Sequence, residues 1–260
     1  MNAADTVDTT DLTFPLSPDY VSGWTTEKGI AELISNAIDA DPTGFRVSYA
    51  DGFLTITDGS ADGIGASGVI IGHSNKRGRT DVIGQFGEGL KVGMLVLLSD
   101  ATVSEITIDT VGYHVTPELI EHIGLFGAKD EESIPVMNWK IRRSDRTSGT
   151  AIQFRCSLKT ANAAMGRFRQ LSVFGYESPS VPKIVDDGGG KVYVGGVLVS
   201  SNPGKLAFSY DLPLSLAKGW QNRDRSVIGS WELRTAIAGA FLAIDDEPTA
   251  ELVVKATVAQ

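Results

Sequence analysis

The chain has 260 residues, 42% of them hydrophobic and 21% charged, which suits one large globular domain or two modest ones. Its net charge of −9 argues against nucleic-acid binding over the whole surface, though not against a local basic patch. Cys156 is the single cysteine, so neither a disulfide framework nor a cysteine-based zinc site is available.

Residues 1–14 are polar and rich in Thr and Asp, and read as a loose arm or one that docks on something. The start, Met1-Asn2-Ala3-Ala4-Asp5, has neither the basic nor the apolar segment of a secretory signal. The longest apolar runs, such as Ala236 to Ile244, are too short to span a bilayer, so a cytoplasmic, reducing setting with no membrane partner is expected.

Thr25 or Thr26 is placed to cap a helix that ends near Asp41-Pro42. Within it Ile30, Leu33, Ala37 and Ala40 make an apolar stripe, widened by Ile34 and Ile38. Glu32, Asn36 and Asp39 make a narrow polar seam on the other side. An acid one turn from an amide suits two tasks: the carboxylate can take a proton from water, and the amide oxygen can ligate a hard cation such as Mg²⁺.

Strands at Phe45 to Tyr49 and Phe53 to Thr57 flank Asp51-Gly52, the strongest short hairpin signal. The second strand runs into Asp58, which opens the stretch Asp58-Gly59-Ser60-Ala61-Asp62-Gly63-Ile64-Gly65. An acid at a strand end can accept a hydrogen bond from the exocyclic amine of a base; the same residues also fit a plain Asp-Gly turn.

A polar, basic loop containing Lys76 follows, and then Gly84-Gln85-Phe86-Gly87-Glu88-Gly89-Leu90-Lys91 leads into an apolar helix running through Leu98. Such glycines let backbone N–H groups approach an anion, and Lys91 adds a positive charge. A flexible turn before a buried helix accounts for them equally well. No G-x-x-x-x-G-K-[ST] is present, and the glycine run does not follow a strand as a dinucleotide fold needs.

Further strands are expected at Thr102 to Asp109 and Tyr113 to Val115, then a short helix from Pro117 to Ile123. Val136 to Arg143 and Thr150 to Cys156 read as a second hairpin around Ser144 to Gly149. Thr150, at a strand start, could brace the Asp58 carboxylate or a water beside it, or simply be a β-former in place. Beyond a boundary at 156/157, a helix is expected over Ala161 to Phe174 and a Pro-, Ser- and Gly-rich link over Glu177 to Gly190. A strand pair around Gly195-Gly196, a strand at Phe208 to Leu212 and a helix at Ser230 to Ile244 complete the chain.

In order and spacing, the motifs at Glu32 to Ala40, Asp58 to Gly65, Gly84 to Lys91 and Gly149-Thr150 resemble those of the GHKL ATPases. That family includes gyrase B, Hsp90, MutL, MORC proteins and histidine kinases, and the lid followed by the glycine run looks most like the MORC and Hsp90-like branch. The resemblance covers residues 25–156. It implies an α+β Bergerat fold, a mixed sheet backed by helices with ATP between them, followed over 157–260 by a smaller α/β transducer-like domain.

By resemblance, Glu32 is the general base, Asn36 ligates Mg²⁺ and Asp39 lies beside the nucleotide. Either Asp58 or Asp62 meets adenine, with Gly63 and Gly65 turning beneath it; an apparent insertion separates Asp58 from Gly63, and its strand-end position favours Asp58. Gly87, Gly89 and Lys91 hold the phosphates, Gly84, Gln85, Phe86, Glu88 and Leu90 complete the same nucleotide-binding run, residues 66–86 with Lys76 form a lid, and Thr150 takes the family's threonine position. Lys205, Arg223 or Arg225 would reach the γ-phosphate from the second domain.

The function so implied is slow, Mg²⁺-dependent ATP hydrolysis. Closure of the lid, or of an ATP-driven homodimer, would act on a protein or nucleic-acid client that the sequence does not name. A second reading is a nucleotide-binding switch with negligible turnover that recruits a partner. A third, phosphotransfer of the histidine-kinase type, would need a histidine on a dimerising helix, whereas His73 lies in the lid and His114 and His122 in a short segment.

Overall fold

A computed structural model describes residues 9–65, 83, 88–122, 133–201, 206–217, 230–242, 244, 247 and 249–251. The chain divides into two compact units, residues 1–77 with 84–165 and residues 78–83 with 166–260.

The first unit is a large antiparallel sheet backed by helices. Its strands are β1 (Thr10–Phe14), β2 (Arg46–Ala50), β3 (Phe53–Asp58), β4 (Ser104–Thr110), β5 (Tyr113–His122), β6 (Ile134–Arg143) and β7 (Thr150–Arg155). They run in the order β1-β6-β5-β4-β7-β3-β2. Every pairing is antiparallel, where the family resemblance implied a mixed sheet.

The helices are α1 (Thr26–Ala40), α2 (Gly89–Ser99) and α3 (Leu158–Met165). The hydroxyl of Thr25 accepts the Lys28 backbone N–H at 3.4 Å, capping α1. The helix closes where the Asp41 N–H reaches Ala37 O and Pro42 has no N–H to continue. Ile30, Leu33, Ile34, Ala37 and Ile38 are buried as the stripe predicts, but Ala40 is exposed, and Glu32 and Ser35 are buried too. This is therefore a core helix with little free surface. The β2–β3 turn places Asp51 and Gly52 at φ of 52° and 86°, the left-handed pair that matches the twist of a hairpin.

Other expectations for this unit change as well. Residues 10–14 are not loose: β1 adds to the edge of β6, and Phe14 stands edge-on to the buried Trp139 ring at 4.9 Å. Pro117 starts no helix but sits within β5, opposite Trp139. The β4 partnership of β5 ends at Val115, so Pro117 falls on a free strand margin, where a missing N–H is tolerated. β6 and β7 form no hairpin, because β5 and β4 lie between them in the sheet. The first unit also runs past Cys156 to Met165, since α3 packs on α1.

Helices α1 and α2 meet through two glycines. A β-carbon on Gly29 would stand 2.7 Å from Val96 Cγ1, and one on Gly93 would stand 2.8 Å from the Gly29 carbonyl oxygen and 3.0 Å from Leu33 Cδ2. Gly93→Ala gains about 1 kcal/mol of helix propensity, but the facing oxygen is backbone and can yield only if the helices part. A net loss of roughly 1–2 kcal/mol is expected, read as a lower thermal midpoint.

The second unit holds β8 (Lys183–Val185), β9 (Lys191–Val194), β10 (Val197–Ser201) and β11 (Ser209–Leu212), in the order β10-β9-β11-β8, with β11 parallel to β9. Helix α4 (Ser230–Leu242) buries Ala236 and Ala240 in a cluster with Val192, Val194, Tyr210 and Leu212. The β9–β10 turn uses Gly195 and Gly196 at positive φ, as their pairing suggests. It is fastened by Asp211, which accepts from the Gly196 N–H at 3.0 Å and the Tyr176 hydroxyl at 2.9 Å and pairs with Arg169 at 3.2 Å. Burial raises the pKa of that carboxyl. The helix expected over 161–174 breaks after Met165: Phe168 bridges to Val197, and only Arg169–Ser172 make a further turn. β8 lies inside the expected link.

Candidate functional site

Three elements of the first unit carry the predicted residues that are described, and the first of them brings Glu32 and Asn36 to Gly89. The polar seam of α1 meets the start of α2, where a β-carbon on Gly89 would stand 2.7 Å from Glu32 Oε2. The same position lies 3.4 Å from the Asn36 amide nitrogen and 3.6 Å from its oxygen. Only a residue without a side chain leaves room there for the acid and the amide. Glu32 is 7% exposed, and Asn36 and Asp39 are half-buried. The Asn36 Nδ2 is buried and has no hydrogen-bond acceptor, although a buried amide N–H normally has one.

Lys91 projects from the first turn of α2 and is 1% exposed. Desolvation lowers its pKa to about 8, against the opposing pull of Glu88. Glu88 precedes the helix, supplies the carbonyl that takes the Val92 N–H at 2.9 Å, and accepts the Tyr20 hydroxyl at 3.4 Å. Leu90 is half-buried beside it. Lys76, Gly84, Gln85, Phe86 and Gly87 lie outside the described residues, as do Lys205, Arg223 and Arg225.

The second element is the turn after β3. Asp58 ends the strand and accepts from both the N–H (3.0 Å) and the hydroxyl (2.5 Å) of Ser60. Asp62 is exposed on the turn, and so is Gly65, which has open space around it. Gly63 has a φ of 56°, and a β-carbon there would fall 2.3 Å from Thr110 Oγ1.

The third element is the start of β7, beside that turn. Thr150 pairs with Asp58 across the sheet, but its hydroxyl does not turn to the Asp58 carboxylate: it meets Thr110 Oγ1 at 3.0 Å, deep in the core. Thr110 Oγ1 in turn accepts the Ile64 N–H at 2.8 Å, and Tyr113 donates its hydroxyl to the Ile64 carbonyl. The two threonines thus hold the 62–65 turn in place.

Asp41, Thr110 and Tyr113 are positioning residues that sequence reasoning passed over. Asp41 ends α1, and its carboxylate accepts the Gly44 N–H at 2.8 Å and the Gly59 N–H at 3.0 Å, tying the helix end to the turn after β3. An Asp followed closely by Pro and Gly is a local turn signal that would have exposed its first bond, but not the second.

The Asn36 amide oxygen, with the Glu32 carboxylate beside the same Gly89, is a donor that a hard cation could share with an anionic ligand. Among the described residues no three His, Cys, Asp or Glu side chains cluster as an all-protein metal site. His114 and His122 lie on strand β5 rather than on a helix. No described helix is long and apolar enough to cross a membrane. No family model matches the chain, and no curated protein sequence matches it.

Proposed function

We propose that the first unit is a GHKL-type ATPase domain of Bergerat fold, binding ATP with Mg²⁺ and hydrolysing it slowly. Nucleotide-driven closure of a lid or homodimer then drives a clamp or remodelling cycle, and the second unit serves as the transducer. The observation that carries this reading is the convergence of Glu32 and Asn36 on Gly89 at the start of α2. A helix start offers N–H groups and a positive dipole end to phosphate, and here it lies beside an acid suited to activating water and an amide suited to Mg²⁺.

Each residue has a distinct task. Asn36 Oδ1 ligates Mg²⁺, which supplies charge neutralisation on the phosphates when bound, and the orphaned Asn36 Nδ2 gains an anionic oxygen to donate to. Lys91, desolvated in the first turn of α2, supplies positive charge to the phosphates. Glu32 accepts the proton of the attacking water. Asp58 has one oxygen fixed by Ser60 and takes the adenine amine with the other.

Titration with ATP tests the reading. Wild-type protein is expected to bind ATP in Mg²⁺ and more weakly in a chelator. The Asn36 Nδ2 has no hydrogen-bond partner to lose, so Asn36→Ala is expected to fold normally while losing affinity in Mg²⁺ by about tenfold or more, and by less in chelator, where only the Nδ2 contact to the ligand is lost. Equal affinity of both proteins in Mg²⁺ would overturn the assignment of the ligand.

The depressed pKa of Lys91 gives a second expectation. Below about pH 8 the lysine is already charged without ligand, and this group adds no pH dependence to binding. Above that value it is neutral when free and must take up a proton beside a polyphosphate. Affinity then falls with rising pH, by up to about tenfold per unit. Calorimetric titrations at pH 9 in buffers of different ionisation enthalpy would register the proton uptake, and Lys91→Met would abolish it.

A further inference from the structure

Helices α1 and α2 meet at three levels, and the levels follow in order along both. At one end the Gly89 position stands against Glu32 and Asn36. In the middle Gly29 and Gly93 bring backbone against backbone, with Val96 and Leu33 beside them. At the other end the Thr26 hydroxyl, in the first turn of α1, donates to the carboxylate of Asp100, the residue that follows α2. The two helices therefore run antiparallel. Thr26 to Asn36 is about 15 Å of helix and Asp100 to Gly89 about 16 Å, so the hydrogen bond and the candidate site lie at opposite ends of the same pair of rods.

Asp100 is held so that it aims at α1. Its Oδ1 accepts the Thr102 N–H at 2.8 Å and the Thr102 hydroxyl at 2.7 Å, which leaves Oδ2 to Thr26. Burial opposes the charge on this carboxyl, but the hydrogen bonds from Thr26 and Thr102 outweigh it and lower the pKa, so the acid is ionised at neutral pH. A negative charge beside the first turn of α1 also faces the positive end of that helix. The Thr26 hydroxyl is not needed as a cap, because Thr25 already accepts the Lys28 N–H.

The middle level shows what such a bond is for. Two glycines let the helices approach closely, but they supply no side chains of their own to stop one helix sliding along the other. A hydrogen-bonded helix is stiff along its axis, so a slip at the Thr26 end reappears at Gly89. We propose that Thr26 and Asp100 are positioning residues for ATP turnover: their hydrogen bond sets the axial register of α1 against α2, and with it the placement of Glu32 over the start of α2. This rests on the reading of the first unit as an ATPase. The acid that must meet a water is more sensitive to such a slip than the many contacts that hold a nucleotide, since a misplacement of about 1 Å can cost about a hundredfold in rate.

Turnover and ATP affinity are measured in Mg²⁺ on the full chain, well below the melting midpoint of each variant. Thr26→Val keeps the branched shape and loses the hydroxyl. It is expected to lower turnover by about tenfold or more while affinity changes by about threefold or less. Thr26→Ser restores the hydroxyl and should restore turnover. Thr26→Ala, which asks for no methyl packing, repeats the measurement should the valine protein melt near the assay temperature. A purely structural role would lower the melting midpoint and leave turnover of the folded protein unchanged. Wild-type turnover in the variants that lack the hydroxyl, a loss that Thr26→Ser does not repair, or a loss confined to affinity would each overturn the proposal and leave the ATPase reading standing. A wild type that binds ATP without hydrolysing it ends that reading, and this proposal with it.

Discussion

Glu32→Gln is expected to abolish ATP turnover, by a factor of about 10²–10⁴, while leaving nucleotide affinity nearly unchanged. The glutamine keeps the shape of a side chain that is only 7% exposed, so the fold is not asked to fill a cavity. It keeps an oxygen near Gly89 but loses the basicity needed to accept a proton from water. Gly89→Ala makes the complementary test: its β-carbon would stand 2.7 Å from Glu32 Oε2, the far end of a side chain that can swing away. That variant should therefore keep its thermal midpoint yet lose turnover, since the acid is displaced rather than removed. Binding and product release measured together decide the matter: a Glu32→Gln protein that still hydrolyses ATP at the wild-type rate removes Glu32 as the base. A wild type that binds ATP and never turns it over replaces hydrolysis with a nucleotide switch.

What could be read from the sequence follows how local the controlling physics is. The cap at Thr25, the stop at Asp41-Pro42 and the turns at Asp51-Gly52 and Gly195-Gly196 are set within four or five residues, and they stand where residue chemistry puts them. The meeting of Glu32 and Asn36 with Gly89 was legible only as motif order, because the contact depends on the Gly29–Gly93 helix crossing, and nothing in a single stretch announces a crossing. Strand partners were the least legible feature. β6 and β7 are consecutive strands joined by a turn-rich segment, yet β7 pairs instead with β3 and β4. Pro117 invited a helix start because a missing N–H suits one, but a strand margin without a partner tolerates it equally. Thr150 shows the same limit in the site itself. A threonine opening a strand was legible, but its partner, Thr110, lies on a different neighbouring strand from Asp58.

Among the described glycines of the first unit, Gly149→Ala is expected to produce the largest loss of stability, about 3 kcal/mol or more. Two costs add. Its φ of 70° lies in the left-handed region, which an alanine adopts at a cost of about 1–2 kcal/mol. A β-carbon there would also fall 2.0 Å from the Asp58 carbonyl oxygen and 3.2 Å from the Gly59 α-carbon, so backbone must move. That movement pulls on the Gly149 N–H bond to the Ser60 carbonyl, 2.7 Å long, and on the Asp58–Thr150 pairing. Gly112→Ala separates the two costs, since Gly112 has a φ of 80° with nothing near its β-position and should lose only the conformational part. Thermal melting should place Gly149→Ala roughly 5–10 °C below wild type and Gly112→Ala only a few degrees below. Because the displaced turn carries Asp58, the Gly149 variant should also bind ATP more weakly at temperatures where it remains folded, whereas the Gly112 variant should not. Equal midpoints for the two variants would mean that the turn after β3 yields freely, and a rigid adenine-binding Asp58 would no longer be tenable.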